Sequence, residues 1–209
     1  RPVGRRRGQI DGREPPGRPV ILLVDDAEEA GLVGAAAFID EHPWAKDVAA
    51  VVNLEARGTR GPSLLFEVVG GTAFSARLAR TIPHPVTSSL FAGVYRRLPN
   101  NTDLSLFRRL GVPGVNFAFI DGAERYHTPG DDLAHLDPAS VQHHGDSALA
   151  MVRAFAAEDP DRAPPGDAVF FDVLSLGVVV WPQGASVPLA VAGALGLWAA
   201  RGQLEGLPA

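Results

Sequence analysis

Four acids stand within five residues at Asp25, Asp26, Glu28 and Glu29, directly after the apolar run Val20 to Val24. Further along, Glu55 closes the apolar stretch VAAVVNLE, and ERYHTPGDD places Tyr126, His127, Asp131 and Asp132 after the run VNFAFI. The chain has no cysteine, so any metal must be held by carboxylate and imidazole, a donor set that suits zinc or a similar divalent ion. An adjacent glutamate pair then allows a division of labour. One carboxylate coordinates, and its neighbour takes the proton from a metal-activated water. The same pair also fits the first turn of a helix starting near Ala30, where the macrodipole favours negative charge, and spacing alone leaves both readings open.

For these groups to meet, several strand ends must share one rim. From Val20 onward, short apolar runs alternate with amphipathic ones: VILLV at 20–24, a helical GLVGAAAFIDEH at 31–42, then VAAVVNLE at 48–55. Strand, helix, strand is the pattern of a βαβ unit. A strand at 63–69, helices at 72–81, 86–97 and 103–110, a strand at 115–120 and a helix at 138–157 complete the expected domain. The fold class is α/β, a three-layer sandwich with a mostly parallel, mixed sheet. Ligands in such sheets bind beyond the carboxyl ends of strands, which is where the three acid positions fall.

Residues 1–19, rich in Arg, Gly and Pro, read as an irregular arm, and 158–167 as a linker. The tail, 168–209, contains a sixteen-residue stretch without charge at 185–200. Its hydropathy, Trp181 and Trp198 near its ends, and Arg201 just beyond it predict a membrane span. The chain of 209 residues is 46% hydrophobic, enough for one packed domain. Its net charge is −5, and its basic residues, all arginine but Lys46, are scattered apart from Arg5, Arg6 and Arg7, which argues against a nucleic-acid surface. No secretory leader is recognisable. The heavy use of Arg, Ala and Pro suggests a GC-rich, bacterial genome. His42, His84, His135, His143 and His144 read as structural histidines, and Ser88 and Ser89 lack a nucleophile-elbow context.

Four segments in order, VILLVDDAEEAGLVGAAAF, VVNLEARGTRGPSLLFEV, NNTDLSLFRRLGVPGVNFAFI and RYHTPGDDLAHLD, resemble the M28 family of zinc aminopeptidases. The likeness is to its membrane-anchored branch of vacuolar and endoplasmic-reticulum membrane proteases, and covers about residues 19–157. It implies a zinc-exopeptidase-like fold and two zinc ions. Glu28 matches the general base and Glu29 a metal ligand; Glu55 matches the acidic ligand of the other zinc, and His127 the last imidazole ligand. Tyr126 stands where some members have an oxyanion donor, Asp131 resembles an acid that fixes the loop after the histidine, and Asp103 an acid near the substrate pocket. The implied reaction is hydrolysis of an N-terminal peptide bond, with a peptide as substrate and the domain on the extracytoplasmic side of a membrane.

The family also uses an earlier histidine and a metal-bridging aspartate. The nineteen residues before Val20 contain no histidine and only Asp11 and Glu14 as acids. The resemblance therefore implies a partial peptidase domain, incomplete at the N-terminus and truncated at both ends, with impaired activity. Two alternatives accompany it: a non-catalytic binding domain of the same fold, and a single-zinc enzyme resembling glutaminyl cyclases.

Overall fold

The computed structural model describes residues 17–70, 76, 79–95, 97, 101–157 and 168–205. The first part of the arm, the linker at 158–167 and most of the helix expected at 72–81 lie outside the described residues. Helix α1 spans Val33–Glu41, followed by β1 (Val51–Ala56), β2 (Leu64–Val69), β3 (Val86–Thr87) and α2 (Ser89–Tyr95). Then come α3 (Leu104–Arg109), β4 (Gly114–Phe119), α4 (Pro138–Ala157), the hairpin strands β5 (Ala168–Val173) and β6 (Gly177–Pro182), and α5 (Ser186–Glu205).

The main sheet runs β1-β4-β2-β3. Strand β4, buried at every position, pairs parallel with β1 and antiparallel with β2, while β3 pairs parallel with β2. Gly114 opens β4 because a Cβ there would meet Leu104 Cδ1 at 2.6 Å and the Val51 carbonyl at 2.8 Å. Alternation along β4 sends Val115 and Phe117 into the main core, with Leu65, Val68, Met151, Phe155 and Phe170. Asn116 goes to the opposite face, where its side chain reaches Thr102, just ahead of α3. Helices therefore cover both faces, and the expected three-layer α/β sandwich with a mixed sheet is observed.

Two expected elements differ. The segment 20–24 forms neither helix nor strand among the described residues, and Leu22 and Val24 are 88% and 86% exposed. Its apolar pattern satisfies one requirement of a strand, while the other, a hydrogen-bonded partner, is not met along the free edge of β1. Instead Val20, Ile21 and Leu23 line an open groove against Val51, Phe107 and Phe155. The helix expected at 86–97 divides into β3 and α2, because Val86 and Thr87 pair with Leu64 and Leu65. The other expected elements appear within one to three residues of their expected limits, and 138–157 matches α4.

Helix α4 clamps the loop that follows β1. Asp137 N–H donates to the Thr59 carbonyl at 2.9 Å and Gly61 N–H to Ser140 Oγ at 2.8 Å. Ser63 N–H donates to His143 Nδ1 at 3.2 Å, and Ser63 Oγ lies 2.8 Å from His144 Nδ1. The His144 ring stands edge-on to Phe117 and Phe119. Burial in that cage, and secondarily the neighbouring His143, push the His144 imidazole down to about 4. Because the folded value lies below the unfolded one near 6.5, the unfolded chain binds the extra proton first. Stability is expected to be full above pH 6.5 and to fall by roughly 3 kcal/mol between pH 6.5 and 4 on this account. Urea unfolding across that range should show a shallower fall for His144→Phe than for the parent chain.

Candidate functional site

The acidic pair sits in consecutive tight turns between the segment 20–24 and α1. Ala27 adopts φ 62°, and Asp26 Oδ1 accepts its N–H at 2.7 Å. The Glu28 carbonyl then accepts from Gly31 and Leu32. Helix α1 begins only at Val33 and carries no acid in its first turn, so the macrodipole does not account for Glu28 and Glu29. Glu29 is turned instead toward the far loop: its Oε1 lies 2.6 Å from His127 Nε2. His127 holds φ 58°, a strained conformation for a residue with a Cβ. Its ring stacks on Tyr126 with centroids 3.8 Å apart. Two segments 98 positions apart in sequence are thus joined at one imidazole.

Glu55 reaches the same rim from β1, and a buried polar chain holds it there. Asn53 Nδ2 donates to Glu55 Oε1 at 2.7 Å and to Asn116 Oδ1 at 3.1 Å. Asn116 Nδ2 donates to Glu67 Oε2 at 3.2 Å and to Thr102 Oγ1 at 2.8 Å, while Arg108 closes the chain on Glu67 Oε1 at 3.2 Å. Register explains the contact, since Asn53 faces Asn116 directly across the β1–β4 pair. Period-2 alternation then puts Asn53 and Glu55 on one face. Burial, followed by the charge of Glu28, pushes the Glu55 carboxyl up to about 7, with the Asn53 hydrogen bond and Arg57 opposing.

The same fields act on the other acids. Burial first, then the Glu29 carboxylate, raises Glu28, while Arg57 and His127 pull it down. Asp103, immediately before α3, is pushed up to about 6 by burial and by the charges of Asp25 and Glu28. Tyr126 is raised by burial, with Arg57 opposing and the charges of Glu29, Glu28 and Glu55 adding to the rise. Asp131 closes the turn after His127, its N–H donating to the Thr128 carbonyl at 3.0 Å. The structure therefore gathers Glu28, Glu29, Glu55, Tyr126, His127 and Asp103 about one rim. Sequence reading missed Arg57, whose guanidinium lies 5.9 Å from the centre of the Tyr95 ring. It also missed Asn53 and Asn116. The available signal was an amide at an inward position of an apolar strand, where a polar group needs a partner.

Carboxylate and imidazole are the donors zinc takes, and Glu29 with His127 already converge. Among the described residues, no group of three or more His, Asp or Glu side chains closes to hold an ion. The donor chemistry of Glu29 and His127 is of the kind zinc takes, and together they offer two such donors.

Comparison with known proteins decides the lineage. Residues 8–152 match peptidase family M28. The chain belongs to that family. It is similar to endoplasmic reticulum metallopeptidase 1 of Homo sapiens, 34% identical over 172 residues, covering 78% of this chain and 19% of that protein. It is also similar to putative endoplasmic reticulum metallopeptidase 1-A of Caenorhabditis elegans, 32% identical over 172 residues, 78% of this chain and 19% of the other. Vacuolar membrane protease of Eremothecium gossypii is 29% identical over 168 residues, 79% of this chain and 16% of the relative. The chain thus spans about a fifth of the length of these curated relatives. No solved structure matches. These relatives are eukaryotic, and they lend no support to the expected bacterial source.

Glu55 provides a test of the rim's electrostatics in metal-free protein. A carboxyl raised to about 7 keeps its proton in the native state where the unfolded chain has lost it. Its contribution to stability is therefore present below pH 4.5 and is lost as pH rises through 7. Glu55→Gln should remove that slope and be more stable than the parent by roughly 2 kcal/mol at pH 8, as read by urea unfolding with a chelator present.

Proposed function

We propose that this chain carries the base-bearing half of a zinc-dependent aminopeptidase site, acting on the N-terminal peptide bond of peptide substrates. The single observation that carries the reading is the convergence of Glu29 Oε1 and His127 Nε2 to 2.6 Å, with Glu28 beside them. Glu29 and His127 would hold one zinc, and Glu55 would serve the second. Bound zinc supplies Lewis acidity to the scissile carbonyl and acidifies water. Glu28, raised by burial and by Glu29, takes the proton as the water oxygen bonds to the carbonyl carbon. It returns that proton to the leaving amine as the C–N bond breaks. The Tyr126 hydroxyl donates to the oxygen that gains negative charge, and Asp131 steadies the loop that carries His127.

The membrane belongs to the same reading. Gln183–Arg201 has a mean hydropathy of 1.3, and none of it is buried against the rest of the chain. Helix α5, with twenty residues, is about 30 Å long, the thickness of a bilayer's apolar core. The names of the similar proteins, which place them in the endoplasmic reticulum or the vacuolar membrane, agree with a membrane location. A non-catalytic member of the family is favoured by one observation, the lack of a three-ligand cluster among the described residues.

Elemental analysis of dialysed protein separates the two. On the catalytic reading zinc is retained, and Glu29→Ala and His127→Ala each lose it. Glu28→Gln keeps the metal but loses on the order of 10²- to 10⁴-fold in hydrolysis of an aminoacyl anilide. Retention of no zinc by the parent chain would overturn the peptidase reading and leave the binding domain.

A further inference from the structure

The direction of each strand fixes which end of the domain holds the site and which end releases α5. Strands β1 and β4 are parallel and deliver Glu55 and the loop to His127 at their carboxyl ends. Strand β2 is antiparallel to β4, and β3 is parallel to β2, so both run away from that rim. Strand β5 docks antiparallel to the β3 region through the Ser88–Phe171 bridge. Two side-chain bonds give its polarity: Thr87 N–H donates to Asp172 Oδ1 at 2.9 Å, and Phe170 N–H to Ser89 Oγ at 3.4 Å. Strand β5 therefore climbs toward the rim. The hairpin turns there at Leu174 and Ser175, both at positive φ, and β6 descends to the opposite end.

Helix α5 leaves from that opposite end. Only the turn Gln183–Ala185 separates it from β6, a reach of under about 10 Å. The junction is pinned, because Trp181 Nε1 donates to Ser186 Oγ at 2.9 Å and the Trp181 ring stands edge-on to Phe171. Trp at such a junction suits a lipid–water boundary. The loops that open β1 and β4 lie at the same end and expose Trp44 and Leu110.

We infer that the domain stands on a bilayer by the end that bears Trp44, Leu110 and Trp181, with the catalytic rim turned away from the lipid. The inference rests on the reading that Gln183–Arg201 crosses the membrane. Six-residue strands hold the rim roughly 20 Å above that end. Substrate then arrives from the aqueous phase, and the class that fits is the free N-terminus of a soluble peptide rather than a chain still embedded in lipid. Leu174 and Leu176, 84% and 83% exposed at the hairpin tip, become a water-facing lip at the rim end rather than a membrane wedge.

The absence of cysteine makes the test direct. Leu110→Cys, Leu176→Cys and Leu195→Cys, each at an exposed position, are spin-labelled in the full chain in phosphatidylcholine nanodiscs. Collision with lipid-soluble oxygen is compared with collision with a water-soluble nickel chelate. The expected oxygen-to-nickel ratio is highest at 195, intermediate at 110 and several-fold lower at 176, where it matches a label in water. A label at 176 as oxygen-accessible as that at 110, with 195 in lipid, would overturn the orientation while leaving the span intact. A label at 195 that collides mainly with nickel would show that the span itself has failed, and the orientation with it.

Discussion

The Glu67 carboxylate, 2% exposed in the middle of β2, must be partnered where it lies, because an unpaired charge in a sheet interior costs several kcal/mol. Arg108 reaches it from α3 and Asn116 from the neighbouring strand. Once Asn116 is committed to Glu67 and Thr102, its carbonyl oxygen is left to accept from Asn53, and Asn53 in turn fixes one oxygen of Glu55. A single buried charge therefore sets the orientation of an acid on the rim. The polar chain also ties β1, β4, β2 and the start of α3 together on the face opposite the hydrophobic core, so packing on one side and hydrogen bonding on the other hold the same register.

Charge of one sign dominates the rim. The charges of Asp25, Glu28 and Glu29 act on neighbouring acids, and the upward shifts at Glu28, Glu55 and Asp103 record the cost of gathering them partly out of water. Arg57 and His127 offset part of that repulsion. A divalent cation at the rim would offset more. The strain at Ala27 and His127 lies in the same place, in the two turns that aim the acidic pair and the imidazole at each other.

Strand direction separates the acidic rim from the apolar helix. Parallel β1 and β4 bring the acidic and imidazole side chains to one end, while the antiparallel return of β6 carries the chain to the other before the apolar helix begins. Helix α4 runs the full height between them. Its first turns hold the loop after Glu55 through Ser140, His143 and His144, and its last turns place Met151 and Phe155 in the core.

Much of this was legible in the residues themselves. Apolar periodicity located β1, β2, β4 and α4, the lack of cysteine restricted any metal to oxygen and imidazole donors, and motif order identified the family. These are local properties, set by alternation, side-chain chemistry and spacing along the chain. The sequence could not say whether Val20–Val24 would be a strand, because a strand exists only with a partner, and among the described residues this segment has none. It could not tell either whether the acidic pair would sit in the first turn of a helix or face another loop. That was decided when α1 began four residues beyond Glu29 and His127 came to meet it. The roles of Asn53, Asn116 and Arg57, and the opposition of rim and helix, belong to tertiary structure alone, since they depend on which strands lie side by side and in which direction they run.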